Sequence, residues 1–394
     1  MFSCETKSPA GATSVGSFET LAGVDCAAWD RLAPDDVFSS SGWLRTMEET
    51  ALSQGSLYFV VREAGSLVAA AACRREGVEG RGMDRLIYGR FAAVVRALRA
   101  GVSPALICGT STGLSEHVRV DPNATPQEQE RWITLLIDAM EQFALANRMT
   151  LCFRNVIPGE GRISRVLEHR GYLKASEMPT TVMDVRWPSF AEYRRDLKRD
   201  HPATSKNISV EINRARRAGV VFRKLGDSIP QAPRLHAILD AHSRRLNGVP
   251  FPFGAGFVET CKRYLGDRLV VYVAYESEDP IGVAVVMRGG DSAFHAMVGV
   301  DIARGRKPLV YFNNSYNVPI EDAILCGVRR IYCGKLLYDV KVRRGFRLVE
   351  LGAYVQVSGR IRAALLAPAF AAQRARIRRM LGKAWAAAPE GEQH

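Results

Sequence analysis

Arg330-Ile331-Tyr332-Cys333-Gly334, then Arg344-Gly345-Phe346 and the apolar run Leu348 to Val355, form the stretch whose reading decides the fold. The two β-rich runs flank a short segment, Tyr338 to Arg344, and a basic residue, a glycine and an aromatic precede the closing strand. Upstream, Leu309 to Cys326 has helical spacing, with Gly327 where a helix-ending glycine belongs. The first half of the chain repeats the order. Thr125 and Glu128 make a capping box for a helix running to Asn147, with Trp132, Leu135, Leu136, Ala139, Met140 and Phe143 on its apolar face. A strand, Thr150 to Asn155, a helix, Gly161 to His169, the triplet Arg170-Gly171-Tyr172 and a closing strand, Pro179 to Val185, complete the echo. The same elements in the same order indicate a tandem duplication.

Working outward, Leu57 to Arg62 and Ser66 to Arg74 form a hairpin across Glu63-Ala64-Gly65, and Pro104 to Cys108 and Glu116 to Val120 are further short runs. In the second half, helices over Pro233 to Leu246 and Phe257 to Tyr264 precede three strands, Leu269 to Tyr275, Ile281 to Met287 and Ala293 to Val300. Each half is thus α/β, a mixed twisted sheet flanked by helices. A length of 394 residues exceeds what one core usually organises. Composition shifts near Phe190, giving an N-terminal domain over 1–187, a C-terminal domain over 188–357 and a basic amphipathic tail over 358–394. Hydrophobic residues at 47% and charged residues at 24% exclude a disordered chain. Residues 1–16 lack the features of a signal peptide and no apolar run spans a bilayer, so a cytoplasmic protein is expected. The eight cysteines have no metal-ligand spacing and read as reduced, buried small hydrophobes.

Asn213 to Val220, the strands around Ile281 to Asp301, the helix start Lys307-Pro308-Leu309, and Ile331 to Gly334 ending at Lys341 together resemble the second domain of the Fem-like branch of the GNAT superfamily. Phe38-Ser39-Ser40-Ser41-Gly42-Trp43-Leu44 is similar to the entry segment of that branch. The resemblance implies two tandem GNAT-like domains and an acyltransferase, either an aminoacyltransferase or a biosynthetic N-acyltransferase. It departs at two places. The helix begins Lys307-Pro308-Leu309 instead of with small residues, and Arg304-Gly305-Arg306-Lys307 stands where ordinary GNAT enzymes carry a glycine-rich coenzyme A loop.

Acyl transfer to an amine needs a neutral nucleophile, a stabilised oxyanion and a proton for the leaving group. The resemblance points to Lys341 as a phosphate or carbonyl ligand and to Tyr338, upstream of it, as a proton donor. His295, in a central strand, suits the acceptance of the amine's proton. Arg304, Arg306 and Lys307 precede a helix and suit a donor phosphate. Tyr311, Asn313, Asn314, Tyr316 and Asn317 are poor helix formers crowded on one helix, expected to face a cleft, with Asn313 and Tyr316 touching the donor. No metal site and no tightly bound cofactor are expected. The net charge of +13 favours polyanionic partners. Arg214, Arg216 and Arg217 in one basic region, and Arg376 and Arg379 in the tail, suit an RNA backbone. The tail's apolar face, with Leu365, Leu366, Phe370, Ile377, Leu381 and Trp385, equally suits a peripheral membrane contact or packing on the chain itself. The expected donor is aminoacyl-tRNA, ahead of acyl-CoA, and the acceptor is a small-molecule or peptide amine. The other class is a non-catalytic RNA- or membrane-binding protein on the same fold.

Overall fold

The computed structural model describes residues 13–52, 55–77, 82–89, 92–93, 101–109, 118–159, 161–302, 304, 307–357 and 360–386, the side chains of 82, 86, 307–309, 360–365 and 383–386 excepted. Its strands are β1 (Thr13–Phe18), β2 (Gly55–Glu63), β3 (Ser66–Glu76), β4 (Ala105–Cys108), β5 (Val118–Val120), β6 (Thr150–Val156), β7 (Leu173–Asp184), β8 (Val220–Lys224), β9 (Leu269–Glu276), β10 (Asp279–Gly289), β11 (Ser292–Val300), β12 (Arg330–Tyr332) and β13 (Arg347–Val355). They form one sheet in the order β1-β2-β3-β4-β6-β13-β7-β12-β11-β10-β9-β8, with β5 paired to β3.

That order contains the duplication and something periodicity does not reveal. Each half builds an antiparallel run ending in one parallel pair, β4 with β6 and β11 with β12. Each then accepts the other half's last strand: β13 pairs antiparallel with β6, and β7 with β12. The exchanged strands pair with one another along the middle, from Leu173↔Val355 to Val182↔Arg347. The halves therefore share one continuous hydrogen-bonded ladder.

A second weld comes from the segment Phe38 to Leu44. Ser40 caps helix Ser41–Thr50, its hydroxyl accepting from the Trp43 amide at 3.3 Å. Trp43 is fully buried and packs edge-on against Phe38, Phe253 and Phe257, so a first-half helix sits in a core with second-half residues. Arg119 anchors the loop before it, donating to Ser39 Oγ at 2.6 Å and to the Asp36 carbonyl at 2.9 Å. Burial lowers its guanidinium to a pKa of about 10, against the pull of Asp36 and Asp30. A Cβ on Gly42 would stand 2.5 Å from the Tyr264 carbonyl oxygen, on backbone of helix Phe257–Leu265. Gly42→Ala is therefore expected to cost about 1–3 kcal/mol, because neither helix backbone yields without disturbing the shared core. Denaturant midpoints check this against Gly77→Ala, where an added Cβ meets nothing within 4 Å.

Helix Pro126–Ala146 carries the expected capping box between Thr125 and Glu128 and packs on one face of the first half. The tail forms helix Arg360–Ala386, kinked at Gly382 where φ is 38°, and Leu366, Phe370, Ile377 and Leu381 are buried against the chain's own sheet and helices. Of the two options for the tail's apolar face, packing on the chain occupies these four residues, while the side chains of Leu365 and Trp385 lie outside the described residues. Among the described residues no helix is long and apolar enough to cross a membrane. The described cysteines are all free, and Cys326, expected inside, is exposed on the helix end it occupies.

Candidate active site where two parallel strands part

Strands β11 and β12 pair only over Ser292–Phe294 and Arg330–Tyr332. Beyond Phe294 and Tyr332, whose rings stack at 4.8 Å, β11 continues to Val300 while β12 stops. The chain turns away because Gly334 takes a left-handed conformation, followed by Leu336 and Leu337 at φ 71° and 53°. Two non-glycine residues in that region, with exposed side chains, are costly in backbone energy and apolar contact. They turn the chain away from β11 after Tyr332, so that the two strands part there.

His295 and Cys333 are the first residues past the last pair, and they face each other, Nδ1 to Sγ at 3.6 Å. The Nε2 atom of His295 is shut off from solvent and makes no hydrogen bond. Burial lowers the imidazole pKa to about 4, the Ser315 backbone opposing and the Lys341 charge assisting. Burial likewise raises the Cys333 thiol. Both are thus uncharged near neutrality, and a neutral imidazole is a proton acceptor.

Lys341 is nearly inaccessible, 3% exposed, in the short helix Tyr338–Val342. Its ammonium donates to the carbonyls of Cys333, Gly334 at 3.1 Å and Lys335 at 3.2 Å. These carbonyls point to one spot because the loop is left-handed there. Thr181 of β7 adds a hydroxyl bond to the Gly334 carbonyl at 3.1 Å. Burial lowers the Lys341 pKa, with Cys333 opposing.

The first half has the equivalent parting, and it is filled differently. Its last parallel pair is Cys108↔Phe153, so Arg154 and Asn155 correspond to Cys333 and Gly334, and Asn155 repeats the left-handed turn at φ 58°. There Glu177 of β7, its side chain fully buried, accepts from Arg154 at 2.9 and 2.8 Å and from Lys335 at 2.7 Å. Lys335 also reaches Asn155 Oδ1 at 3.1 Å. Burial pushes the Glu177 carboxyl up, but Arg154 and Lys335 outweigh it and hold the pKa at about 2. One parting is closed by an ion triad; the other presents imidazole and thiol. The loop 333–335 connects them.

The helix beside His295 is interrupted. Between Lys307–Phe312 and Val318–Leu325, residues Asn313–Asn317 form a π-helical turn, a feature that recurs at functional sites. Its polar residues, expected to line a cleft, are buried instead. Asn313 Nδ2 donates to the Glu211 carbonyl and Asn317 Nδ2 to the Glu211 carboxylate, both at 3.0 Å. Arg344 grips that carboxylate at 2.8 and 2.9 Å while lying over the Phe312 and Tyr316 rings. Polar character at helical spacing here satisfies the extra backbone groups and the buried charges of neighbouring elements. Arg344, known from sequence only as part of a glycine echo, is thereby the hub of the helix Pro202–Arg217 contact.

The remaining sequence candidates are dispersed. The Tyr338 hydroxyl donates to the Pro179 carbonyl at 2.8 Å, and its ring packs with Ile377 and Leu381. Burial raises its pKa to about 12. Arg304 pairs with Asp279 and, at 3.5 Å, with Glu276 on the β9–β10 hairpin. Arg306 and the Lys307 side chain lie outside the described residues. Arg214, Arg216 and Arg217 are exposed along the last turn of helix Pro202–Arg217. Arg376 and Arg379 are exposed on the tail helix, the Arg376 guanidinium lying against Gly89. The structure brings together His295 and Lys341 and adds Cys333. Sequence reasoning missed Cys333, Glu177 and Lys335; only the adjacency of Cys333-Gly334-Lys335 to the strand end signalled them.

With that geometry in place, the chain was compared with known proteins. A family model described as FemAB-like, peptidoglycan biosynthesis/recognition, matches residues 20–380. The chain belongs to the FemAB-like family. The FemAB-like assignment makes it an acyltransferase built on two GNAT-like halves. Among solved structures, FemX is 10% identical, covering 85% of this chain and 96% of its own at a TM-score of 0.55. The C-terminal domain of a putative lysylphosphatidylglycerol synthetase from Agrobacterium fabrum is 11% identical, covering 86% and 94% at a TM-score of 0.53. At such identities both show a shared fold. No protein of curated function matches the chain.

Proposed function

We propose that this FemAB-like acyltransferase moves an aminoacyl group from aminoacyl-tRNA to an amine of a small-molecule or peptide acceptor, at the parting of β11 and β12. The observation that carries the site is the neutral His295 ring beside that opening, in the half whose parting is not filled by an ion triad. The amine nitrogen attacks the ester carbonyl and forms the C–N bond. His295 takes the amine's proton, and collapse of the tetrahedral adduct breaks the C–O bond, the proton passing to the departing ribose oxygen. Lys341 acts on the loop 333–335, fixing the wall of the opening. The sequence supports the donor: Arg304-Gly305-Arg306-Lys307 does not reproduce the glycine-rich coenzyme A loop, and Arg214, Arg216 and Arg217 offer exposed charge for phosphates. The lysylphosphatidylglycerol synthetase likeness, an enzyme named for joining an amino acid to a lipid, agrees with an aminoacyl donor.

The test is transfer of a labelled amino acid from charged tRNA to a panel of amines by the full chain. Ribonuclease pretreatment of the donor is expected to abolish product. Product formed from acyl-CoA alone, unaffected by ribonuclease, contradicts the donor and leaves the acyltransferase standing.

A further inference from the structure

A crevice enclosing about 640 Å3, its open mouth included, lies between the exchanged strands β7 and β13 and the tail helix Arg360–Ala386. Leu351, Pro179, Ile377 and Leu381 give it apolar walls, and Ser176 adds a hydroxyl. Three cations enter it from two elements: Lys174 of β7, and Arg374 and Arg378 one helical turn apart on the tail. Among the described residues none of the three has an ion pair or side-chain hydrogen bond; Arg374 and Arg378 are exposed and Lys174 is half-buried. The two acids of the lining offset only part of this charge, Glu350 acting on Lys174. Glu177 already belongs to Arg154 and Lys335, and Glu350 is exposed at the rim. The Lys174 ammonium is held below its ordinary pKa by burial, with Glu350 and Glu168 opposing and Arg374 adding a little to the effect. The crevice is therefore a concave, partly apolar site with a surplus of about two positive charges on donors that lack acceptors, the complement of a phosphate dianion.

We propose that this crevice binds the phosphate end of a small phosphorylated molecule. Arg374 and Arg378 would hold it from the tail helix and Lys174 from the central strand, so that a bound phosphate would clamp the tail onto the exchanged strands. Its floor, Glu177, is bonded to Lys335 of the loop that shapes the β11–β12 opening, which gives the ligand a direct structural link to that loop. The binding itself is independent of acyl transfer and is read without turnover.

Inorganic pyrophosphate titrated calorimetrically into the full chain is the test. One saturable site per chain is expected, weakened about tenfold by each of Arg374→Gln and Arg378→Gln, the loss of one charge-assisted hydrogen bond. Arg165→Gln, exposed on another helix, serves as the charge control and is expected to bind as the parent does. Citrate at matched ionic strength is expected to bind about tenfold or more weakly, lacking a compact dianion. A single-stranded RNA oligonucleotide is expected not to displace pyrophosphate, its internal phosphates being diesters on a wide backbone. Absence of saturable binding, unchanged affinity in the Arg374→Gln, Arg378→Gln double variant, equal binding of citrate, or displacement by RNA each overturns the assignment.

Discussion

Glu177→Ala is expected to destabilise the chain by about 3–5 kcal/mol, the cost of removing one member of a buried ion group and leaving its partners uncompensated. Arg154 loses both of its bonds to this carboxylate and Lys335, among the described residues, its carboxylate partner. Burial already lowers the neighbouring Arg74 guanidinium to about 10, with Arg154 adding to the effect and Glu76 opposing it. The same group sets an acid limit. Its folded pKa, about 2, lies below the ordinary value of 4.5 expected when unfolded, so its contribution is complete above pH 4.5 and is lost as pH falls toward 2. Urea midpoints measured down this range are expected to fall more steeply for the parent than for Glu177→Gln, which has nothing there to protonate. Parallel slopes would mean that the triad does not stabilise the junction.

Lys341→Ala is expected to lower transfer about 100-fold or more while the chain stays folded, because a misplacement of the site wall by an ångström has that order of effect. Without the ammonium, the carbonyls of Cys333, Gly334 and Lys335 lose their common donor, and the left-handed loop loses the bond that fixes it. Lys341→Arg separates positioning from charge. A bulkier fork cannot enter a space that is 3% exposed, so it is expected to restore the charge without restoring the rate. The midpoint of unfolding, followed in parallel, distinguishes a displaced loop from a lost fold.

Much of the architecture was legible in order and spacing. The capping box at Thr125 and Glu128, the hairpins of the second half and the echo of Arg170-Gly171-Tyr172 in Arg344-Gly345-Phe346 are local signals, and local signals survive in a single sequence. The strand exchange is not local. Whether β13 closes its own half or the other depends on hydrogen bonds to residues some two hundred positions away, which periodicity does not encode. Strand β7 illustrates the limit: the sequence suggested a start at Pro179, whereas the strand begins at Leu173. Lys174, Glu177 and Pro179 interrupt the apolar alternation, and a carboxylate within a strand reads as a solvent-facing position unless its partners are known. Those partners, Arg154 and Lys335, come from different halves.

The candidate site was legible in part for the same reason. His295 and Lys341 were singled out by residue type and by likeness to a family, and the structure places both at one opening. The asparagine and tyrosine cluster at 311–317 was recognised as unusual, but its reason is internal: a π-helical turn and a buried carboxylate, Glu211, that needs donors. Arginine-rich stretches carry the least information, since Arg304 and Arg344, similar by composition, are respectively a hairpin ion pair and a buried hub.

The most direct test of the account is single-turnover transfer from aminoacyl-tRNA by His295→Ala, with the acceptor in excess and pH varied from 5 to 8. Loss of the proton acceptor predicts a rate about 100- to 10,000-fold below the parent across that range, in a chain whose unfolding midpoint is retained. A rate within about twofold of the parent would remove His295, and with it the β11–β12 opening, from the chemistry.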